Sequence, residues 1–377
     1  MAEREEFCAW SWPGPAPGPI TRLVKSLLVL KTGALGDVLR TTSILPGLHA
    51  AHPELRVTWV TAPGAMDLLA GNVLVDELVS VDPNDRADVA RVLQEFKGRT
   101  FDRVFSLDDE EPMCYFAKTV RSHGVSGATL SESGQRTYTP DVGEWFDMGL
   151  LSVHGKERAD ELKKENTRSH AAIYASMFGI EMGEPELLVP NDSRLFSEDL
   201  WRRLALDGRK LVVGLNTGSG GRWHSKRLTE ERTVELAERV HDQFLGNVSF
   251  VLLGGPEEED RNARISEMVA ERVRLVDAGT KNSLLDFAAI VDRLDLLVTS
   301  DSLALHVAVS RQVPVVAFFA PTSAAEIELY GRGEKVVSTS PDYCSYAKDA
   351  DTSSLTPERI AKAVSRVLAD SAKRHAS

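Results

Sequence analysis

The chain alternates short apolar runs with longer polar or amphipathic segments, which is the rhythm of strands alternating with helices. In the first half, strand-like runs are predicted at 27–30, 57–60, 77–81 and 103–107. The same rhythm restarts in the second half, with runs at 211–215, 249–255, 273–279, 294–300 and 313–319. The pattern predicts an α/β fold of two doubly wound domains, each with a parallel sheet covered by helices on both faces.

The length of 377 residues suits two domains of ordinary size better than a single core. The breaks in the alternation predict four segments: a Pro- and Gly-rich N-terminal arm at 1–24, a first domain at 25–185, a second domain at 194–355 and a C-terminal helix at 356–377 that packs back on the body. The less regular stretch 128–168, rich in Gly, Ser, Thr and charged residues, is interpreted as an insertion that faces a substrate.

Composition narrows the classes of partner. Hydrophobic residues make up 42% of the chain and charged residues 27%, as in soluble globular proteins, and no apolar run is long enough to span a bilayer. The N-terminus is acidic and Pro-rich rather than a signal peptide, so we expect a cytoplasmic protein. The net charge of −12 disfavours nucleic acid as a partner. Cys8, Cys114 and Cys344 are too scattered for metal-ligand spacing, so neither a disulfide framework nor a metal site is expected.

The segment LLVLKTGALGDVLRTT at 27–42 runs from an apolar strand through two closely spaced glycines and an acid into a helix. Gly33 and Gly36 permit a tight turn and close approach of a ligand. Asp37 follows at the mouth of that turn. Its carboxylate has two interpretations, a cap of the following helix or a general base for an acceptor hydroxyl.

A second segment, NTGSGGRWHSKRLTEE at 216–231, places three glycines, hydroxyls and cations between a strand and a helix. Backbone N–H groups of such a loop can converge on an anion, and a lysine adds a point charge for a diphosphate. We assign that charge to Lys226. The GxxxxGK[ST] spacing of a Walker loop is absent, and a solvated basic loop without function remains the alternative.

A third segment, SDSLALH at 300–306, places an acid and a serine where a strand gives way to a helix. The free N–H groups of Ser302 and Leu303 would make an anion site at the helix start, and Asp301 could accept hydrogen bonds from sugar hydroxyls. His306 lies one turn further on. Taken singly, Asp301 also fits a plain helix cap and His306 a buried core histidine.

Two acidic segments also follow strands. GGPEEE at 254–259 places Glu257 in a first helical turn, where an acid favours the helix dipole but also suits ribose hydroxyls. LDDEEP at 107–112 places four acids at the same sheet edge as Asp37, as cleft residues or as a solvated charge run. Neither a GxGxxG fingerprint nor a GxSxG elbow is present, which weakens oxidoreductase and hydrolase interpretations.

Together these segments resemble glycosyltransferase family 9, the ADP-heptose heptosyltransferases, over roughly residues 27–335. The resemblance is carried, in the family's order, by KTGALGDVLRTT, NTGSGGRWHSKR, GGPEEE, SDSLALH and APTSAAEIELYG. It implies the GT-B architecture, in which two Rossmann-like domains face a cleft. It also implies a base at Asp37, phosphate contacts from Lys226, a ribose contact from Glu257, and diphosphate and heptose contacts from Asp301, Ser302 and His306.

From the residues and the resemblance, we expect a donor site made of Thr217, Gly218, Lys226, Glu257, Asp301, Ser302, Leu303 and His306. On the acceptor side we expect Gly36, Arg40, Asp108 and Asp109. The chain departs from the family at Leu303 and Ala320, where glycine is usual, and it keeps only Cys344 where one branch carries a cysteine cluster for iron. That metal site is therefore expected to be lost.

The expected activity is that of an inverting glycosyltransferase that moves a sugar, first of all a heptose, from an ADP-sugar to a hydroxyl acceptor without a metal or other cofactor. Lipopolysaccharide core, a protein or a soluble metabolite all remain open as acceptor, and the oligomeric state is open too. Two alternatives stand beside it: a nucleotide-sugar epimerase, which would turn over without an acceptor, and a non-catalytic nucleotide-sugar-binding protein, which would tolerate loss of Asp37.

Overall fold

The computed structural model describes residues 23–376 apart from 207, 209, 221 and 222, so nearly all of the predicted arm at 1–24 lies outside the described residues. The strands of the first half are β1 (Ser26–Leu30), β2 (Arg56–Thr61), β3 (Glu77–Ser80), β4 (Arg103–Ser106), β5 (Val125–Leu130) and β6 (Arg136–Tyr138). Its helices are α1 (Leu35–Thr41), α2 (Ile44–Ala51), α3 (Met66–Leu69), α4 (Arg86–Glu95), α5 (Glu111–Thr119), α6 (Gly143–Phe146), α7 (Lys156–Glu165) and α8 (His170–Phe178). The next helix, α9 (Asn191–Arg203), packs on α12 (Leu284–Val291) of the second domain.

The strands of the second half are β7 (Leu211–Asn216), β8 (Val248–Leu253), β9 (Leu275–Asp277), β10 (Leu296–Ser300), β11 (Val315–Phe319) and β12 (Gly333–Val337). Its helices are α10 (Glu230–Gln243), α11 (Glu259–Met268), α12 (Leu284–Val291), α13 (Leu303–Ser310) and α14 (Pro357–Ala376). A short 3-10 turn, His224–Lys226, lies between β7 and α10.

Both sheets have the same strand order. The first runs β3-β2-β1-β4-β5-β6, and the second, read from its β9 edge, runs β9-β8-β7-β10-β11-β12. Strand pairs are parallel throughout, except that β6 is antiparallel to β5. In each sheet the order reverses beside the first strand, and the crevice outside the carboxyl ends at such a reversal is where open α/β sheets bind ligands. The predicted pair of doubly wound domains is confirmed, and the reversals fall at β1/β4 and β7/β10.

The central strands are apolar because both of their faces are covered. Leu27, Leu28, Val29 and Leu30 of β1 are all essentially inaccessible, and β8 and β10 are likewise buried along their whole length. A strand covered by helices on both faces needs such a continuous aliphatic run rather than an alternating one. This explains why the strands were visible in the sequence.

The last helix, α14, packs on the second domain. Its apolar face carries Ile360, Val364 and Val367, which join the core formed by β7, β8, β10 and β11. It also lies against α10 and β12. The stretch 128–168, expected to be irregular, contains β6, α6 and α7 between its loops.

The segment that connects the domains, 180–190, is hydrogen-bonded to both of them. On the second domain, the Tyr330 hydroxyl donates to the Gly183 carbonyl at 3.0 Å, and Arg332 forms two hydrogen bonds with the Glu184 carboxylate at 3.1 and 2.7 Å. On the first domain, the Glu186 N–H donates to the Thr42 hydroxyl at 3.2 Å. The connection is therefore pinned on both sides rather than loosely tethered.

Candidate active site

The loop that follows β1 is fixed by a buried acid from the neighbouring strand. The Asp108 carboxylate, just after β4, forms an ion pair with Lys31 and accepts hydrogen bonds from the Thr32 N–H and from the Thr32 hydroxyl, the last at 2.7 Å. Both Lys31 and Asp108 are buried. Asp108 therefore shapes the loop before α1, and its oxygens are committed to that task. Its predicted contact with an acceptor stays a prediction.

Asp37 lies in the first turn of α1, and its carboxylate pairs with the Arg40 guanidinium at 2.9 Å. It does not cap α1, because Ala34 holds the N-cap position. Partial burial alone would raise the pKa of Asp37, but the charges of Arg40 and Lys31 outweigh it and the pKa lies below its usual value. Asp37 is thus ionised at neutral pH. Arg40 in turn lies over the ring of Trp145 in α6, 5.4 Å from its centroid.

In the second domain, the start of α13 is braced from β7. The Asn216 amide at the end of β7 donates to the Ser302 hydroxyl at 3.3 Å and to the Thr299 hydroxyl at 3.0 Å. Ser302 occupies the N-cap position of α13 with extended backbone, and its hydroxyl bonds Thr299 rather than capping the helix. The N–H groups of the first turn are therefore available to an anion, which is where the helix dipole favours one.

Three of the predicted donor-site residues meet at the end of β10. The Lys226 ammonium donates to the Asp301 carboxylate and to the Asp301 carbonyl, both at 2.9 Å. Burial alone would raise the pKa of Asp301, but Lys226 and His306 bring it down to about 2. His306 Nε2 lies 3.8 Å from the other Asp301 oxygen. Burial, with Arg40 nearby, lowers the pKa of His306 to about 4, so its imidazole is neutral at pH 7.

The two domains touch where α1 meets α13. A methyl group on Gly36 would overlap the His306 ring and lie 3.1 Å from its Nε2 atom. Glycine is therefore required by this close approach. The contact brings Asp37 of the first domain close enough to His306 and Asp301 of the second for their charges to interact. The predicted catalytic and donor groups thus lie at one interdomain site.

A cavity of about 620 Å³ opens beside this site over the carboxyl ends of β7, β8 and β9. Its walls come from the loops after these strands and from the start of α13, and they include the predicted Gly218, Glu257, Ser302 and Leu303. Lys226, Asp301 and His306 do not line it and lie at its α13 end. The cavity and the interdomain cluster are therefore neighbouring parts of one cleft.

The loop between β9 and α12 and the first turn of α12 contribute cavity residues that sequence reasoning missed. The loop supplies Thr280 and Asn282, and α12 supplies Leu284 and Phe287. The signal was present, because this loop follows a predicted strand at the ligand-binding edge of the sheet. It was overlooked because it contains no acid, glycine cluster or cation pattern that suggests phosphate chemistry.

The structure places the predicted donor-site residues Thr217 and Glu257 differently with respect to the cavity. The Thr217 side chain is buried and turned into the interior, where its hydroxyl bonds Asn262 at 2.6 Å and the Leu253 carbonyl at 3.2 Å, so it supports the loop and does not line the cavity. Of the two adjacent acids, Glu257 is exposed at the cavity wall, whereas Glu258 is buried against Gly218 and accepts the Gly255 N–H at 2.8 Å.

On the acceptor side, Asp109 is half-buried and meets the Arg136 guanidinium through its backbone carbonyl, at 2.8 Å. Within the described part of the chain, no group of three or more His, Cys, Asp or Glu side chains is arranged to hold a metal ion. None of the helices in that part is long and apolar enough to cross a membrane.

The sequence profile of glycosyltransferase family 9 (heptosyltransferase) matches residues 150–356, more than half of the chain. The protein belongs to glycosyltransferase family 9. The predicted resemblance is confirmed, and the match covers the whole second domain with the cavity, Lys226 and Asp301.

Relatives of this family 9 glycosyltransferase are distant in sequence. The lipopolysaccharide core heptosyltransferase OpsX of Haemophilus influenzae is 19% identical over 322 residues, covering 84% of this chain and 85% of the relative. A family 9 glycosyl transferase structure from Veillonella parvula has a TM-score of 0.74 at 22% identity, covering 94% of this chain and 100% of that one. E. coli ADP-heptose lipopolysaccharide heptosyltransferase II has a TM-score of 0.61 at 17% identity, covering 92% and 99%. These structures establish the shared GT-B-like fold.

Proposed function

We propose that this family 9 protein transfers a sugar, first of all a heptose, from an ADP-sugar to a hydroxyl group of an acceptor, without a metal or other cofactor. One observation carries the proposal. Asp37, an ionised carboxylate of the first domain, lies across the Gly36–His306 contact from the Lys226–Asp301 pair, beside a cavity of about 620 Å³ at the start of α13. A base and an anion site thus face each other across a domain boundary.

The cavity offers separate surfaces to the parts of a nucleotide diphosphate. Leu284 and Phe287 supply apolar surface for a base, and the exposed Glu257 carboxylate can accept hydrogen bonds from ribose hydroxyls. The free N–H groups at Ser302 and Leu303 suit the diphosphate. The Lys226 ammonium, three donors on a flexible stem, can turn part of its hydrogen bonding from Asp301 to a phosphate oxygen.

The reaction that fits this arrangement is a single displacement at the anomeric carbon. The acceptor oxygen forms the new C–O bond as the bond to the diphosphate breaks, and that electron pair leaves with ADP. The acceptor hydroxyl gives its proton to Asp37. Lys226 and the N-terminus of α13 stabilise the charge that develops on the departing ADP, which is the work a metal ion performs in other phosphate sites.

The acceptor is proposed from the family alone. OpsX is named as a lipopolysaccharide core heptosyltransferase, and a core saccharide is therefore our first candidate. A protein hydroxyl and a soluble metabolite are the other candidates. A saccharide acceptor would reach Asp37 from the first-domain side, past Arg40 and Trp145.

The test combines binding with turnover. Calorimetry with ADP, UDP and GDP should give tightest binding for ADP, and ADP-heptose with candidate acceptors should yield ADP and a glycosylated product. Conversion of the ADP-sugar to an epimer without any acceptor would instead establish an epimerase. Binding without turnover with every acceptor, unaffected by Asp37→Asn, would establish a nucleotide-sugar-binding protein.

A further inference from the structure

The loop after β11 contains an acid, Glu326, that lies beyond the proposed donor site along the edge of the second sheet. Along the carboxyl edge of the second sheet, the cavity lies over β9, β8 and β7, Asp301 follows at β10, and Glu326 follows at β11. Neighbouring strands are about 5 Å apart, so β11 lies about 10 Å from β7. In the proposed binding mode, a nucleotide-sugar whose diphosphate is held at α13 would extend its sugar away from this cavity, toward β10 and β11. Glu326 therefore lies at the sugar end of the site.

Two groups, His170 and Lys335, hold the backbone around Glu326. Its carbonyl accepts the N–H of His170, at the start of α8 in the first domain, at 2.8 Å. The Lys335 ammonium from β12 binds the neighbouring carbonyls of Ala324, at 2.8 Å, and Ile327. This bracing fixes the loop both to its own sheet and to the opposite domain. It gives the Glu326 side chain a defined position at the domain boundary.

The Glu326 carboxyl is only partly committed. The Tyr346 hydroxyl donates to its Oε1 atom at 3.1 Å, and the Tyr346 ring carries the Lys163 ammonium of α7 at 4.1 Å from its centroid. Among the described residues, no hydrogen bond reaches its Oε2 atom. Glu326 and Arg40 line the same water-sized gap beside His306. Burial raises the pKa of Glu326 against the opposing charges of Arg40 and Lys163.

We propose that Glu326, held by Tyr346, binds hydroxyl groups of the transferred sugar and sets which sugar the enzyme accepts. This inference rests on the proposed function, since it requires a nucleotide-sugar donor. A carboxylate that accepts sugar hydroxyls in a water-poor cleft makes charge-assisted hydrogen bonds, which are lost when a hydroxyl is missing or inverted. Glu326 then discriminates between sugars, whereas the cavity over β7 to β9 recognises the nucleotide.

The experiment separates the sugar from the nucleotide. Calorimetry measures binding of ADP and of ADP-2-deoxy-2-fluoro-heptose, which cannot readily transfer its sugar, to wild type, Glu326→Gln and Tyr346→Phe. We expect Glu326→Gln to weaken binding of the ADP-sugar by about tenfold or more while the Kd for ADP stays within about twofold. Tyr346→Phe should show a smaller loss in the same direction, because it frees the carboxyl without removing it.

Glu334→Gln is the matched control. Glu334 of β12 pairs with Arg366 of α14, at 2.9 and 2.5 Å, and it does not line the gap beside His306 that Glu326 lines. Its affinity for both ligands should match wild type. Equal loss of ADP and ADP-sugar binding in Glu326→Gln, or no loss at all, overturns the proposal. Failure of wild type to bind either ligand overturns the proposed function itself, which is a distinguishable result.

Discussion

Gly36 of α1 lies so close to the imidazole of His306 in α13 that no side chain fits between them. This contact sets the distance between the proposed base Asp37 in the first domain and the proposed donor site in the second. Gly36→Ala should force the ring or the domains to move, and we expect kcat to fall about tenfold or more because near-attack geometry tolerates little displacement. ADP binding should stay near the wild-type value.

The control is Gly64→Ala, an exposed first-domain glycine whose added methyl would meet nothing closer than Leu35 at 4.0 Å. Steady-state kinetics with saturating donor should leave this variant unchanged. Wild-type kcat in a folded Gly36→Ala variant would mean that the approach of α1 to α13 does not govern transfer.

Asp37→Asn tests the proposed base. Asparagine keeps the shape of the side chain and an oxygen that can accept a hydrogen bond from Arg40, but it cannot take the acceptor proton. We therefore expect kcat to fall by roughly 10²- to 10⁴-fold. Affinity for ADP should be nearly unchanged, whereas the melting temperature should fall because the ion pair between Asp37 and Arg40 loses one of its charges. Asp67→Asn, an exposed acid on α3, serves as the control. Full activity of Asp37→Asn would place the base elsewhere.

Lys226→Met should weaken ADP binding by roughly 1.5–3 kcal/mol, because a phosphate loses a charge-assisted contact. It should also flatten the dependence of ADP affinity on salt, which screens the remaining charges. Lys226→Arg should restore only part of the affinity, since a flat guanidinium fork is not a point charge. Lys281→Met offers a matched comparison, because this exposed lysine lies between the cavity residues Thr280 and Asn282 and forms an ion pair with Glu259. Titrations at two salt concentrations measure all four proteins.

His306 should make the folded state sensitive to acid. Its pKa is about 4 in the folded protein and 6.5 in the unfolded chain, so the unfolded state takes up the proton first as the pH falls. The corresponding stability is complete above pH 6.5 and is lost between 6.5 and about 4, in total on the order of 3 kcal/mol. Urea unfolding of wild type and His306→Gln across this range isolates the difference, because the pKa of buried His170 is also low in both proteins. Parallel curves would contradict the assignment.

Asp108→Asn should cost stability rather than chemistry. Removing the charge leaves the buried Lys31 ammonium without its ion-pair partner. The loss of one partner of a buried pair lowers the free energy of unfolding by about 3–5 kcal/mol. Denaturant unfolding should therefore shift markedly for Asp108→Asn and little for Asp109→Asn, whose side chain is half-buried and unpaired with Lys31. An Asp108→Asn variant with unchanged stability but lost turnover would instead support a contact between Asp108 and the acceptor.

The fold could be predicted from the sequence because the buried parallel strands are continuous aliphatic runs. The sheet edge that forms the candidate site could be predicted because the loops after those strands contain glycines and acids. The direction in which each side chain points could not be predicted from the sequence. Thr217 and Gly218 are adjacent, yet the Thr217 hydroxyl points inward to Asn262 whereas Gly218 lines the cavity.

The pairing of charges was equally hidden. Asp108 and Lys31 are 77 positions apart, and only the neighbouring positions of β1 and β4 in the sheet bring them together. Glu326 drew no attention for the same reason, because nothing near it along the chain reveals that His170 and Tyr346 will hold it.

The doubly pinned connection between the domains limits how the enzyme can open. Tyr330 and Arg332 of the second domain and Thr42 of the first domain all hydrogen-bond to the segment 180–190. We therefore expect any separation of Gly36 from His306 to be a rotation about this segment. If release of ADP in the proposed reaction requires that separation, the turnover rate will depend on these hydrogen bonds as well as on the chemistry at Asp37.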